Sequence, residues 1–517
     1  MLGVNTGFGG SADTRTKDLP ALQSALLQLT QAGILTDEDS NGNGLNIMPV
    51  TCVRAAMLIR CNTLLRGHSG VCLELVQALL LLLRKGMTPI VPLRGSISAS
   101  GDLIPLSYLA GMLEGNPDIR VRTSTSFVLS ADKALELAGS EPITLGPKED
   151  LGLVNGAPWR LGPQVEDVCS VLSQITVELN SASDNPIIDI KSGEVYSGAN
   201  FISSSVANGM EKSRLALQMV GKLLFSLSSE LINPTLNRGL PPNVVADDPS
   251  LSFTTKLIDI SMAAYLSELG YLANPVTPHV QSAEMHNQSI NSLALISGRY
   301  TLQAADVVAQ MCVAHLFAVC QALDLRVIHM TYLKALRTKL VSKVLPFLNG
   351  FDDQVAEGIY ERLHETIVKS WNASACFDLQ ERCKILSKET IPVLRDHLEE
   401  HEMHFVSTRP LQRDLENLAY PTFTQTRSEF FVKPPTKQFL GRASLGLYCF
   451  VREELGVHFH QGLVEHPGRK TSGKVNGRKK RTIGSWVSII FTALTNDQVW
   501  GHLVEALGSR TCQVRLV

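Results

Sequence analysis

Ala99-Ser100-Gly101 lies in the run Gly95-Ser-Ile-Ser-Ala-Ser-Gly-Asp-Leu103, a string of small residues between two apolar segments. These three residue types can do chemistry with their own backbone. Gly101 has no Cβ, so its amide nitrogen can approach another carbonyl closely. Ala99 offers a carbonyl carbon with little bulk around it. Ser100 carries a hydroxyl that can leave as water. Attack of the Gly101 nitrogen on the Ala99 carbonyl, with two waters lost in all, gives a methylidene-imidazolone ring, an electrophile made from the chain itself. Ala-Ser-Gly alone is a common tripeptide, and a flexible corner is its plain reading; the context carries the argument. Asp102 followed by LIPLSYLAGML reads as a helix start, with Ser100 or Asp102 as its cap. The partial positive charge of a helix N-terminus favours electron flow into such a ring and an anionic ligand beside it.

Helices must position that loop. SRLALQMVGKLLFSLSSELINP and TKLIDISMAAYLSELGYLANP carry helical apolar spacing and stop at Asn233-Pro234 and Asn274-Pro275. EDVCSVLSQITVELNSASDNP runs into an Asn185-Pro186 corner. From Ala283 to about Leu348 the spacing hardly breaks, which predicts two long helices end to end. Ile187–Ile190 and Glu194–Tyr196 flank Lys191-Ser-Gly193 as one short β hairpin. The fold class is therefore all-α: a long-helix bundle core with a minor β hairpin. Past about Thr331 the helices become shorter and more charged, so residues 1–330 are expected to form the core and 331–517 an added C-terminal helical region.

With 44% hydrophobic and 19% charged residues, the chain is globular rather than disordered. A formal charge of −2 argues against nucleic acid or an anionic membrane as a main partner. The ten cysteines are scattered without a CxxC pair, which fits reduced thiols. The first residues lack the regions of a secretory signal, and the longest strongly apolar run, Leu75–Lys85, is too short to span a bilayer. A cytoplasmic protein is expected.

Several motif matches fail on context. Gly7-Phe-Gly9-Gly-Ser-Ala12 fits GxGxxA, but there is no room for the strand that must precede it. Gly468–Lys474 fits GxxxxGK, yet Val475 stands where a phosphate loop needs Ser or Thr, so a solvated basic loop is expected. Arg478-Lys-Lys-Arg481 reads as a surface charge run. His397-Leu-Glu-Glu-His401 fits an inverted zinc-protease pattern, but its polar surroundings read as an exposed charged helix with no metal.

The segment GSISASGDLIPLSYLAG resembles the signature of the aromatic amino acid ammonia-lyases, the family of histidine, phenylalanine and tyrosine ammonia-lyases. NTGFGGSADTRT, LGPKEDLGLVNG, SASDNPIIDI, GANF, NRGLPP, ELGYLANPVTPHVQSAEMHNQSINSLALIS and FVREELGV agree with it in order, and the wording is most similar to the fungal type of phenylalanine ammonia-lyase. The resemblance implies a core of long helices and a homotetramer whose active sites draw on more than one subunit. It implies elimination of ammonia from L-phenylalanine to trans-cinnamate, a step of phenylalanine catabolism and phenylpropanoid metabolism. No external cofactor or metal is implied, only the methylidene-imidazolone (MIO) formed from Ala99, Ser100 and Gly101.

Carried over by motif, Asn155 would hydrogen-bond the ring or the substrate, and Asn185 would contact the substrate carboxylate region. Phe201 would pack beside the ring, Lys256 would lie near the carboxylate, and Glu284 near the amine, with Gln288 completing that polar wall. Leu29 and Thr30 fall where the family sets ring selectivity. Leu29 would leave a phenolic hydroxyl without a partner, which favours phenylalanine over tyrosine. The sequence departs from the family in two places. Leu2 stands at the catalytic Tyr and cannot take a proton. After Gly156, APWRLGPQVEDV follows at once, so the family's loop Tyr and carboxylate-clamping Arg are missing, and Arg160 does not match the position of that Arg. Two readings follow: a phenylalanine ammonia-lyase, or a catalytically silent, degenerate member serving as a structural subunit of a hetero-oligomer.

Overall fold

The computed structural model describes residues 4–7, 14–97, 103–154, 161–181, 185–197, 202–344, 352–400, 409–469, 473–499 and 501–503. Leu2, Ala99, Ser100, Gly101, Asn155, Arg160, Phe201 and His401 lie outside the described residues, as does most of the Gly7–Ala12 match. The chain divides into two compact units, Met1–Arg160 and Leu161–Val517.

The first unit contains α1 (Leu19–Thr30), α2 (Asp37–Ser40), α3 (Val50–Leu65), α4 (Leu73–Arg84), α5 (Ile104–Leu113), α6 (Ala131–Ala138) and α7 (Glu149–Val154). The leucine run forms α4, where Leu75, Leu79 and Leu82 repeat at helical spacing and are fully buried. They share one core with Met57 and Cys61 of α3 and Leu109, Met112 and Leu113 of α5. Asp18 caps α1, its carboxylate accepting from the Ala21 N–H at 3.2 Å. Three short antiparallel strands, β1 (Thr88–Pro89), β2 (Arg120–Arg122) and β3 (Val128–Ser130), pair in that order. Sequence periodicity does not reveal them, because two or three residues are too few to show alternation. The residue at the N-cap of α5 is Leu103 rather than Ser100 or Asp102, and no side chain among the described residues caps the helix there. Pro105 in the first turn has no N–H to satisfy, which suits such a start.

The second unit holds α8 (Gly162–Leu179), α9 (Ser204–Ile232), α10 (Lys256–Leu272), α11 (Ala294–Val344), α12 (Asp353–Ala373), α13 (Leu379–Glu400), α14 (Arg409–Val432), α15 (Arg442–Cys449) and α16 (Ile483–Thr495). The expected hairpin is present, with β4 (Ile187–Ile188) antiparallel to β5 (Val195–Tyr196). α9 and α10 stop before their Asn-Pro pairs, since proline disfavours helical backbone in the residue before it. The two helices expected over 283–348 are one, α11, of 51 residues. It starts only at Ala294: Leu293 sits at φ +51°, which no helix continues through, and Ser292 Oγ accepts from the Ala294 N–H at 3.2 Å. The change of texture near Thr331 falls inside this helix. By length and composition α9 and α11 could cross a membrane, but most of the apolar window of α11 is buried in its own unit.

The later helices pack on α11. Trp371 of α12 lies 4.5 Å, centroid to centroid, from Tyr332 of α11 and 5.3 Å from Phe423 of α14. Arg382 of α13 stacks its guanidinium 3.6 Å from the Trp371 ring centre and donates to the Trp371 carbonyl; burial pushes its pKa down to about 9. The described residues of the Gly468–Lys474 loop are exposed, as its composition predicts, but the run Arg478–Arg481 is not wholly a surface charge run. β6 (Lys474–Val475) and β7 (Arg478–Lys479) form a third hairpin. Lys480 is only 5% exposed, and Arg478 turns inward to the fully buried Glu465 at 2.6 Å. A buried carboxylate needs a cation, and this one draws it from the basic run. No metal-binding cluster occurs among the described residues; the side chains of the His397–His401 match lie outside them.

α9 and α10 approach closely at Gly221, where a Cβ would stand 2.5 Å from Leu269 Cδ1 and 3.4 Å from the Met311 sulfur. Gly221→Val is expected to lower stability by about 1–3 kcal/mol through overpacking, read as a fall in denaturant midpoint; an unchanged midpoint would show that these helices can move apart freely.

Candidate functional site

In the first unit, the last turn of α1 is tied to the first turn of α5. Ser107 Oγ donates to the Thr30 carbonyl at 3.1 Å, and Gln31 Nε2 donates to the Ser107 carbonyl at 3.1 Å. Asn116 Nδ2 holds the other end of the Gln31 amide at 3.1 Å, and Tyr108 Oη donates to the Gly33 carbonyl at 3.3 Å. Gly111 leaves room for this arrangement, since a Cβ there would stand 2.3 Å from Gln31 Nε2. Leu29 and Thr30 are thereby fixed against the helix that follows the Ala99–Gly101 loop. Thr30 turns its hydroxyl to the Leu27 carbonyl at 2.9 Å, while Leu29 is 74% exposed, a large apolar side chain presented to solvent.

In the second unit, a cavity of about 1030 Å³ opens among the C-terminal end of α10, the N-terminal end of α11 and the strap between them. Amides of Asn274, Gln281, Gln288 and Asn291 line it beside the hydroxyl of Ser292, with Ile202, Val276, Ile290, Leu293 and the rings of Tyr271 and Tyr300 as its apolar part. A few polar groups on an otherwise apolar wall is the usual composition of a small-molecule site. The strap is pinched by a bridge in which Ala283 and Gln288 exchange backbone hydrogen bonds at 3.1 and 3.2 Å. Glu284, Met285 and His286 between them all have positive φ, +50°, +50° and +70°. Three successive left-handed residues other than glycine cost about 1–2 kcal/mol each, and such strain gathers at functional sites. Glu284 accepts from Asn287 Nδ2 at 3.2 Å, and His286 Nδ1 lies 2.8 Å from Ser282 Oγ.

Two charged residues of α9, one helical turn apart, hold this frame. Glu211 Oε1 accepts from the Val276 N–H at 2.6 Å and from the N–H and hydroxyl of Thr277, each at 2.8 Å, so it fixes the turn after α10. The fully buried Arg214 donates to the Ser297 carbonyl and hydroxyl at 2.8 and 2.9 Å, to Thr301 Oγ1 at 3.1 Å and to the Asn274 carbonyl at 3.3 Å. It thereby joins the end of α10 to the first turns of α11. Burial opposes the charge of Glu211, but the Thr277 and Val276 donors and Arg214 outweigh it and hold its pKa below the ordinary value.

Gln288 lines the cavity, and Glu284 sits on the same strap next to the lining residue Ala283. Ile202, which follows Phe201, also lines it. Lys256 does not join them within one chain. It is the first residue of α10, 4.9 Å from the Phe253 ring centre, whereas Tyr271 at the other end of that helix lines the cavity. Fifteen residues of helix separate the two by about 22 Å at 1.5 Å per residue. Asn185 is exposed at the start of the β4–β5 hairpin. Sequence reasoning did not find Glu211, Arg214, Gln31 or Ser107. The one available signal was a glutamate and an arginine three residues apart on α9.

Replacing Arg214 by Met leaves buried carbonyls and hydroxyls without their donor and is expected to cost about 2–4 kcal/mol, read by chemical denaturation; a cost near zero would remove it as the frame's tie. Glu211→Gln is expected to cost about 1–2 kcal/mol at neutral pH. Because the folded-state pKa of Glu211 is depressed, its contribution is complete above the ordinary glutamate value of 4.5 and is lost as pH falls through the folded value. The stability gap between wild type and Glu211→Gln should therefore close on acidification; a gap independent of pH would contradict the assignment.

Comparison with known proteins matches this chain to the family model described as aromatic amino acid lyase over residues 1–159 and 156–344. The match breaks at Gly156–Trp159, where the sequence resemblance runs short. A phenylalanine ammonia-lyase of Aspergillus hancockii is 40% identical over 98% of this chain and 88% of its own length. A phenylalanine aminomutase (L-beta-phenylalanine forming) of Talaromyces islandicus is 38% identical over 98% of this chain and 84% of its own. The crystal structure of phenylalanine ammonia-lyase from the yeast Rhodosporidium toruloides superposes with a TM-score of 0.62 at 33% identity, covering 95% of this chain and 88% of that one. Aligned with the Aspergillus protein, 98% of the 517 residues spread over 615 positions, so the alignment opens gaps within this chain. With the family model matched over more than half of its length and relatives aligned from end to end, the chain belongs to the aromatic amino acid lyase family.

Proposed function

We propose that the chain is a phenylalanine ammonia-lyase, which eliminates ammonia from L-phenylalanine without oxidation and releases trans-cinnamate. The observation that carries this reading is the 40% identity, over nearly the whole chain, to a protein of that printed activity. The amide-lined, partly aromatic cavity at Gln288 supports it, having groups for a polar head and walls for a phenyl ring. None of the relatives reported above supports a silent structural subunit.

Ala99, Ser100 and Gly101 would form the MIO group. They suit it chemically: they lie just before the N-terminus of α5, and the described residues leading to them, Arg94 to Ile97, are exposed rather than packed. The group, once formed, would supply an electrophile toward the substrate. The chain's own residues do the rest. Glu284 and Gln288 on the strained strap would hold the substrate amine, Lys256 would pair with its carboxylate, and Asn155 and Asn185 would hydrogen-bond the same end. Phe201 and the apolar Leu29, beside Thr30, would receive the phenyl ring. Leu2 cannot serve as the base for the β-proton. Since α10 keeps Lys256 about 22 Å from the Gln288 cavity, a complete site needs residues from different copies, and we place the activity in a cytoplasmic homotetramer.

The identity to an aminomutase favours a second reading, in which the amino group is returned to the β-carbon. Product analysis separates the two. With purified chain and L-phenylalanine, trans-cinnamate is expected by its ultraviolet absorbance, with no β-phenylalanine on chromatography; β-phenylalanine as the main product would favour the second reading, and neither product would refute both. The intact chain should weigh two waters less than its sequence, and Ser100→Ala should restore the full mass and abolish turnover. Leu29→His is expected to shift kcat/KM toward L-tyrosine by roughly tenfold, by giving the phenolic hydroxyl a partner.

A further inference from the structure

A second cavity, of about 280 Å³, lies away from the strap, between α11 and the segments that follow α14. Most of its walls come from residues beyond 344, where the family match ends. Three cations, Lys437, Arg452 and Arg478, and two carboxylates, Asp324 and Glu453, line it, while Glu465, the carboxylate that pairs with Arg478, is not in the lining. Asp324 is already saturated. It accepts from Thr436 Oγ1 at 2.6 Å, Tyr448 Oη at 2.5 Å and Arg452 Nε at 3.0 Å, and pairs with Arg452 Nη2 at 2.7 Å. Glu453 is held by Lys437 at 2.5 Å. Arg478 is not saturated: Nη2 reaches Glu465 at 2.6 Å and the Phe459 carbonyl at 3.0 Å, whereas Nη1 is buried with no hydrogen-bond partner among the described residues. A buried guanidinium nitrogen without an acceptor is costly and calls for one.

Three further observations point to a ligand. Phe430 and Phe431 stand with their ring centres 5.6 and 6.0 Å from that of Phe459, so one side of the cavity is a phenyl wall. Arg452 projects from a π-helical turn, Phe450–Glu454, a geometry that is rare and frequent at functional sites. His458, also in the lining, is pushed below its ordinary pKa by burial and then by Arg478 and Arg452, which registers the positive field there.

We propose that this cavity binds a small aromatic monocarboxylate, its carboxylate on Arg478 and Lys437 and its ring on the phenylalanine wall. The volume admits a ligand of one ring with a short side chain, below the usual range for drug-sized sites. If the lyase reading holds, trans-cinnamate belongs to this class, and the product then has a place on the chain apart from the Gln288 cavity.

Isothermal titration of the full chain with trans-cinnamate tests this, run on wild type, Arg478→Gln, Lys437→Gln, Phe431→Ala and Gln288→Leu. A binding component is expected that Gln288→Leu leaves unchanged and Arg478→Gln weakens roughly tenfold, the worth of one charge-assisted hydrogen bond. Lys437→Gln and Phe431→Ala should weaken it several-fold, and uncharged cinnamamide should not bind. The Lys437 pair is half exposed, so its loss should leave the fold intact even if Arg478→Gln does not fold. Absence of such a component, or unchanged affinity in Lys437→Gln and Phe431→Ala chains of wild-type melting temperature, overturns the proposal. Equal or tighter binding of inorganic phosphate also overturns it, since the site would then read charge without the ring. Failure of the lyase reading shows separately, as no product from L-phenylalanine, and leaves this readout in place.

Discussion

The candidate site of the second unit depends on one buried guanidinium. Arg214 reaches the Asn274 carbonyl after α10 and the Ser297 and Thr301 oxygens of α11, and Glu211 one turn earlier holds the Val276–Thr277 turn. The strap that carries Glu284 and Gln288 runs between these anchored ends. Its left-handed residues persist only because both ends are fixed; with free ends the backbone would relax to ordinary φ values. A charged pair suits this role better than apolar packing. Each hydrogen bond names its partner and its direction, whereas apolar contacts tolerate sliding.

The same principle recurs further along α11 with a different outcome. Asp324 is a buried carboxylate that accepts from three donors and pairs with Arg452, which joins α11 to the segments after α14. Burial opposes the charge of Arg452, but Asp324 beside it prevails and keeps it charged. At Glu465 and Arg478 burial prevails instead: the carboxyl is pushed up and the guanidinium down, despite a contact of 2.6 Å. A pair whose desolvation exceeds its mutual attraction is a poor source of stability. It is a better candidate for a group kept for binding, and the buried Arg478 Nη1 without an acceptor among the described residues points the same way.

Much of this was legible in the sequence where the signal was long. The stops of α9 and α10 at Asn-Pro, the β4–β5 hairpin and the helical class all follow from patterns of ten residues or more. The strands of the first unit were not legible, because strands of two or three residues carry no period of their own; β4 and β5, as short, were found through the Lys191-Ser-Gly193 turn between them. Nor was the break at Leu293, which depends on one backbone angle and one serine hydroxyl in a stretch whose apolar spacing runs on unchanged. The basic tail misled for another reason. Composition counts Arg478 and Lys480 as surface charge, while Glu465, more than ten residues earlier in the chain, pulls the run inward. Of the candidate site residues, Gln288 and Glu284 were placed together by a motif. Glu211 and Arg214 act through hydrogen bonds to backbone 60 to 83 residues away, which no local pattern encodes.

The separation of Lys256 from Gln288 bears on how the family's site could be assembled here. A helix of fixed rise cannot shorten, so no rearrangement within α10 brings its two ends together. What can unite them is another copy, with its own α10 laid alongside. The surface favours such a neighbour. α8 buries only Val171, leaving Val165, Val168, Leu172 and Val177 exposed, and Leu295 and Leu302 are exposed near the start of α11. Exposed apolar residues in such number on two helices that each pack against α9 mark a surface that associates. Under the proposed homotetramer, the contact that covers these faces and the contact that completes the site would be the same one. Catalysis would then depend on assembly through the length of a single helix.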